Sequence, residues 1–386
     1  MTQLSKLSTL GIAREATPGT YAPPVAGIPF SKADFEDKVD PIRDESWRGN
    51  DTVLQGVYQG VSSSEWDIEV NGYPDLIGHL LRGTIGPDTV TAGVSTTLSS
   101  ATAAGASSIS VAATIPAGSV IRIDTAAATE YAMTGTPTGS GPSYTIPLVT
   151  QDGASASLAG AHESGVVVVS QTRHTFRQDP TQAIPSYSLT VNDTTQTLGY
   201  AGFKFTEMGI KIDPKAAVTF DMKGLGPVGA AQAPVAETYT KSTPNLGWTW
   251  TTTQAGAAST RGLTLDLTIK RDGEAIASSD GTQGPREIFV GALEADGTYK
   301  AIFENQDDMG AFLNGTQLPL SVRIATPVPV GGQSLAITMS RAAWTTGKRD
   351  LGQNYVQADY AISGVYNTTD GGAVTAVLAN WTTTAY

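Results

Sequence analysis

The stretch Glu65-Trp66-Asp67-Ile68-Glu69-Val70-Asn71-Gly72 decides the fold class. Trp66, Ile68 and Val70 alternate with Glu65, Asp67 and Glu69, the period-2 pattern of a strand with one buried face, and Asn71-Gly72 supplies the turn. Directly after it, Pro74-Asp75-Leu76-Ile77-Gly78-His79-Leu80-Leu81-Arg82-Gly83 reads as a short helix, opened by an acidic residue and closed by glycine. The same grammar returns far downstream. Tyr299, Ala301 and Phe303 alternate with Thr298, Lys300 and Ile302, and the chain passes through Asn305 into Asp307-Asp308-Met309-Gly310-Ala311-Phe312-Leu313-Asn314-Gly315.

The likeness extends in both directions. Ile28-Pro29-Phe30 leads through a charged stretch to a strand containing Val57, while Leu263, Leu265, Leu267 and Ile269 lead through a Gly- and Ser-rich loop, Asp272 to Pro285, to Ile288-Phe289-Val290. Further on, Ser188 to Val191 and Val218 to Met222 match Ser334 to Thr338 and Val374 to Leu378. The expectation is all-β: a mainly antiparallel sandwich or barrel, duplicated, with one short helix per copy. Chance similarity between amphipathic strands is the competing reading. Residues 1-86 and 172-227 form the first domain, 228-245 a linker and 246-386 the second domain. Residues 87-171, rich in Ala, Ser, Thr and Gly, are expected to form an inserted, outward-facing β module, with strands at Ser108 to Ala112, Ser119 to Asp124, Tyr144 to Leu148 and Gly165 to Val169.

Composition excludes several function classes. Hydrophobic residues make up 40% of the 386 positions and charged ones only 16%, a balance suited to many short strands. There is no cysteine, hence no disulfide, thiolate metal site or cysteine nucleophile. A formal net charge of -12 argues against a protein that grips nucleic acid, although a surface of carboxylates lets a polyanion slide past. Met1 to Pro18 carries Lys6, Arg14 and Glu15 without an apolar core, so no secretory signal is expected and the product should stay in the cell that makes it. Apolar runs such as Val166 to Val169 fall far short of the roughly 20 residues of a membrane helix.

No constellation of catalytic residues stands out. His79, His162 and His174 are isolated from one another, and His162-Glu163 lacks the second histidine of a zinc-protease helix. Gly224-Leu225-Gly226-Pro227-Val228-Gly229 fits a dinucleotide-binding pattern, but a proline-broken segment follows where a crossover helix is needed. Asp307 and Asp308 are expected to cap a helix. No enzyme activity, cofactor or metal is expected.

The densely charged segment Lys32 to Asp51 is read as a loop that orders against a neighbouring subunit. Asp37, Asp40, Arg43, Asp44, Glu45 and Arg48 would supply ion pairs and Trp47 an aromatic anchor.

Four pieces in fixed order then carry a resemblance: Leu10-Gly11-Ile12-Ala13-Arg14-Glu15-Ala16-Thr17-Pro18-Gly19-Thr20-Tyr21, Ile28-Pro29-Phe30, Asp44-Glu45-Ser46-Trp47-Arg48-Gly49, and Asp75 through Gly83. Together they resemble the major tail tube proteins of siphophages, particularly those of actinobacterial hosts. Phe289 to Gly315 and Asn380-Trp381 are similar to the far half of longer members. The resemblance implies a virion protein assembled in the host cytoplasm. Its inner sheet would join those of its neighbours into a barrel, its early loop would reach the next ring, and its lumen would house a tape-measure protein and pass DNA without specific binding. A tail terminator and distal tail proteins would meet its ends, and no membrane is involved. If each chain carries two tube domains, three chains make a ring; otherwise six do. Asp34, Glu36, Glu65, Asp67 and Asp266 are the lumen-facing candidates. Competing readings are a tail terminator, a capsid decoration protein, or a secreted glycan-binding module.

Overall fold

The computed structural model describes residues 4–124, 129–352, 354–368 and 370–386. Antiparallel strands dominate, and eight of them build one continuous sheet. They are β1 (Phe30–Asp44), β2 (Gly56–Asn71), β3 (Thr197–Ile212), β4 (Thr219–Gly226), β5 (Gly262–Ile276), β6 (Glu287–Ile302), β7 (Ser334–Asp350) and β8 (Gln357–Gly364). Their order in space is β1-β2-β4-β3-β5-β6-β8-β7, every neighbouring pair antiparallel.

The first four and the last four strands repeat one arrangement in detail. β1 and β5 are each 15 residues long, β2 and β6 each 16. In the β1–β2 hairpin the register slips at Ser31 and Asp40, and in the β5–β6 hairpin at Leu263 and Asp272, in both cases 232 positions apart. β3 and β7 carry a matching bulge, at Thr206 and Thr345. A short helix follows each hairpin, α1 (Ile77–Thr84) and α2 (Asp307–Leu313). Position in the sheet thus matches β4 with β8. The sequence instead set Val218 to Met222 against Val374 to Leu378, because both are short, amphipathic and near the end of their half.

A second layer covers the apolar face. Thr9–Arg14 pairs with Tyr187–Asn192, which pairs with the first residues of β3; Thr251–Gln254 pairs with Gln317–Ala325, which pairs with the first residues of β7. β3 and β7 therefore run from one layer into the other, bending at the bulges. Between the layers lies one core shared by both halves, with Trp66, Ile68, Val70, Phe220 and Met222 from the first and Leu265, Leu267, Ile269, Tyr299 and Ile362 from the second. The strand Glu65 to Asn71 buries the residues its alternation predicted. Arg271 of β5 crosses between halves and donates to the carbonyls of Thr84 (2.7 Å) and Ile85 (3.0 Å), satisfying the C-terminal end of α1.

Residues 95 to 170 form a separate seven-stranded sheet with its own core of Ile109, Val111, Ile121, Ile123, Ile146 and Val168. Its strands Ser108–Val111, Val120–Ile123, Ser143–Val149 and Val167–Ser170 lie within about a residue or two of their expected places. Asp88–Thr91, counted with the module on sequence, pairs instead with Thr172–Phe176, and that strand pairs with Thr375–Asn380 of the second half. The expected linker is likewise tied down: Ala230–Ala231 pairs with Leu198 and Gly199, and the Thr238 carbonyl accepts from the Gly27 amide at 2.9 Å.

Candidate functional site

Because side chains alternate across a strand, the residues that face away from the core of the eight-stranded sheet share one surface. That surface is almost wholly charged or hydroxylic. On the first half it presents Lys32, Asp34, Glu36, Lys38, Glu65, Asp67, Glu69, Glu207, Lys211, Asp221 and Lys223, and on the second half Asp266, Thr268, Lys270, Glu294, Asp296, Thr298, Lys300, Lys348 and Asp359. All five carboxylates nominated from the sequence, Asp34, Glu36, Glu65, Asp67 and Asp266, sit together on it. Glu69, Thr298 and Lys300 stand in alternations legible in the sequence but were not nominated; the rest stand in strands whose register only the fold fixes.

Lysines thread between the carboxylates. Lys32 bridges Asp34 (2.9 Å) and Asp67 (3.0 Å), Lys38 meets Glu65 (2.5 Å), Lys223 Glu207 (2.7 Å), Lys270 Glu294 (3.0 Å) and Lys300 Asp359 (3.3 Å), while Lys211 pairs with Asp221. Hydrogen bonds to Asp34 and Asp67 push the Lys32 ammonium above its ordinary value, and Glu65, Asp221 and Glu294 do the same for Lys38, Lys211 and Lys270. These pairs are solvent-exposed, so each adds little stability. Their collective effect is a hydrated face on which, among the described residues, carboxylates outnumber lysines.

The charged segment Lys32 to Asp51 is not the loop the sequence suggested. Its first part is strand β1, and only residues 45 to 55 connect the hairpin. Backbone hydrogen bonding to β2 needs no apolar side chains, and β1 is an edge strand, where charge is favoured over apolar groups. Alternation was unreadable because beyond Val39 both faces of the hairpin are wet: Ile42, Val57 and Tyr58 are all exposed. The hairpin therefore stands out as an arm. Arg43 lies 3.8 Å from Glu45, Arg48 pairs with Asp44, and Trp47 at the tip is fully exposed. Asp40 sits at the bulge, where the added Cβ of any residue replacing Gly60 would meet its carbonyl oxygen at 2.3 Å. Asp37 belongs elsewhere. It faces the body of the domain, where the Tyr200 hydroxyl donates to it at 3.4 Å and burial raises its pKa. Ile42, Val53, Val57 and Tyr58 are exposed apolar residues of the arm, hidden in the sequence by the density of charge around them.

The histidines and the helix-opening aspartates sit in structural contacts. His162 contacts Glu130 (3.1 Å), and His174 lies between Asp88 (3.0 Å) and the Thr382 carbonyl (2.9 Å). His79 packs edge-on against Tyr187 and Tyr386, and burial lowers its pKa to about 4. Asp75 does not cap α1; it accepts from the Thr240 hydroxyl at 2.6 and 2.8 Å. Asp307 and Asp308 open α2 without a side-chain cap, and Asp308 instead pairs with Arg261 at 3.1 Å. Gly224 and Gly229 make room for rings: an added Cβ would meet Phe203 at 2.1 Å and Tyr200 at 2.6 Å. Among the described residues no group of three or more His, Asp or Glu is placed to hold a metal, and no helix is long and apolar enough to cross a membrane.

The geometry is that of a structural element: a long open sheet, charged on one face, with an arm at one edge. No curated protein matches the chain. The family model described as phage tail tube protein matches residues 5–376. That match spans nearly the whole chain, which therefore belongs to the phage tail tube protein family, a structural component of the virion tail that self-assembles into a tube.

Proposed function

We propose that the chain is a duplicated tube subunit and that three copies close into a ring. Residues 1-86 with 172-227, and 246-386, are the two tube domains; the module near residues 95 to 170 projects outward. The carrying observation is the eight-stranded sheet, which repeats one four-stranded arrangement twice and ends in two open edges, β1 and the last part of β7. A strand edge left open invites pairing with another chain, and a closed ring is the arrangement that leaves none. Each copy then supplies two sixths of a continuous inner wall.

In this reading the charged face lines the bore, with Asp34, Glu36, Glu65, Asp67 and Asp266 on it. A net-acidic, hydrated wall repels a polyanion and offers it no purchase, which suits passage of DNA. Before ejection the bore holds a tape-measure protein, and terminator and distal tail proteins close the two ends. The β1–β2 arm reaches the neighbouring ring, with Arg43, Asp44, Glu45, Trp47 and Arg48 at its contact. A scaffold role needs no catalysis, and no cofactor enters.

Electron microscopy of tubes grown from the purified protein tests the reading. Hollow tubes whose end-on views show threefold rings with six-lobed inner walls are the expected result. Rings of six chains would sink the duplication, and failure to form any ring under conditions that assemble whole tails would sink the tube reading of this sheet.

A further inference from the structure

The molecule contains one joint between four-stranded halves, and its two open edges are the counterparts of the strands that make it. Internally, β3 lies against β5 with Glu207 opposite Lys270, Met208 opposite Ile269, Gly209 opposite Thr268, Ile210 opposite Leu267 and Lys211 opposite Asp266. β7 is the counterpart of β3, aligned by the bulges at Thr206 and Thr345, and β1 is the counterpart of β5, aligned by two bulges each. Transferring the internal register to the free edges gives one alignment without adjustable parameters.

We infer that β7 of one copy pairs antiparallel with β1 of the next, with Thr346 opposite Lys38, Gly347 opposite Asp37, Lys348 opposite Glu36, Arg349 opposite Phe35 and Asp350 opposite Asp34. The inference rests on the ring reading above and deepens it by naming the partner strand and its register. Face and charge both fit. Lys348 and Glu36 lie on the charged face, both exposed, and neither forms an ion pair among the described residues. Directly opposed across an antiparallel pair, they come within reach of each other. Asp350 and Asp34 form a like-charge pair, flanked by Lys348 on one strand and by Lys32, already bonded to Asp34, on the other. On the opposite face Arg349 is set against Phe35, whose ring stacks on Trp66 (centroids 4.7 Å apart) yet remains 40% exposed at the open edge. Leu267, its counterpart inside the molecule, is 2% exposed.

The two kinds of joint in a ring therefore differ in chemistry. Inside the chain, Ile210, Ile212, Leu265, Leu267 and Ile269 make an aliphatic seam, which Arg271 clamps to the end of α1. Between chains the register sets Ala33, Phe35 and Asp37 in place of the three β5 aliphatics, and Val39 where Arg271 would stand. The inter-chain joint is keyed by charge, so subunits stay soluble until they meet a correctly aligned edge.

Charge exchange tests this. Lys348→Glu alone and Glu36→Lys alone should each slow tube growth about tenfold or more, since each sets like charges opposite one another. The double variant carrying both changes should return it to near the wild-type rate. Thermal melts of the monomers should be unchanged, because both side chains are exposed. A second readout uses the absence of native cysteine: Lys348→Cys with Glu36→Cys should oxidise to a closed three-chain band, whereas Lys348→Cys with Asp34→Cys or with Lys38→Cys should not. Wild-type rings with a double variant no better than the singles, or cross-linking only at a shifted pair, would overturn the register while leaving the ring intact. Absence of wild-type rings would remove the ring reading and this inference with it.

Discussion

The two hairpins, β1–β2 and β5–β6, share length, bulge positions and the helix that follows, yet they live in different surroundings. β5 has a strand on each side, so Leu265, Leu267 and Ile269 are buried. β1 has a strand on one side only, and Ala33, Phe35 and Asp37 in the matching places stay partly or fully exposed. At the tips the contrast repeats. The Gln283 carbonyl of the second hairpin accepts from the Ser62 amide at 2.8 Å and its side chain reaches the Gln59 carbonyl, so that tip lies against the first arm. Among the described residues the first tip makes no comparable contact, and Trp47 is left bare. One local design is core or open edge, depending on whether a further strand of the chain lies beside it.

The strongest test of this contrast is a matched pair of substitutions. Leu267→Asp buries an unpaired carboxylate in the internal joint and should cost about 4 kcal/mol or more, read as loss of the folded state in a denaturant titration. Phe35→Asp, at the corresponding place on the open edge, should leave most monomer stability intact and abolish tube growth seen by light scattering. Equal destabilisation by the two would break the correspondence between β1 and β5.

The helices differ in their response to acid. α1 carries His79, held neutral by burial with a pKa near 4 in the folded chain, and α2 carries no histidine. Unfolding lets His79 regain its ordinary value near 6.5, so below that pH the unfolded chain takes up a proton that the folded one refuses. Its contribution is complete above pH 6.5 and is lost progressively down to about pH 4, up to about 3 kcal/mol in all. Chemical denaturation of His79→Gln across this window should show a shallower loss than wild type; parallel curves would refute the assignment.

Glycines in the two helices should respond with opposite sign. An added Cβ at Gly78 would meet the Tyr386 ring at 2.3 Å, so Gly78→Ala should cost about 2 kcal/mol. Nothing lies within 4 Å of the same point at Gly310, and Gly310→Ala should raise stability by about 0.5 to 1 kcal/mol. Thermal melts of both would decide. The smallest effect on stability belongs to Trp47→Ala, under about 0.5 kcal/mol for an exposed tip residue. Tubes of this variant should nevertheless be shorter in micrographs, and unchanged length would remove Trp47 from the contact between rings.

Much of this was readable along the chain. Trp66, Ile68 and Val70 announced a half-buried strand because local alternation reports burial whenever one face is wet. It failed for Phe30 to Asp44, where both faces of the projecting part are wet and no alternation exists to be read. The helix-opening reading failed for Asp75, whose bond to Thr240 joins residues distant in sequence, and the loop reading failed for Asp37, which shares its composition with the arm but turns inward to Tyr200. The bulges were invisible, since a register slip is a property of two strands together.

The sequence alone therefore determined the chemistry available to this protein: an acidic, cysteine-free chain of amphipathic strands, with two copies of one strand-turn-helix pattern. Side-chain period and composition are local, and they need no neighbour to be expressed. Which carboxylates share a face, that eight strands from both halves run on as a single sheet, and which edges remain open were decided only in the tertiary structure. Hydrogen bonding between β3 and β5 joins segments about sixty residues apart, and a strand carries no mark of which edge it will meet.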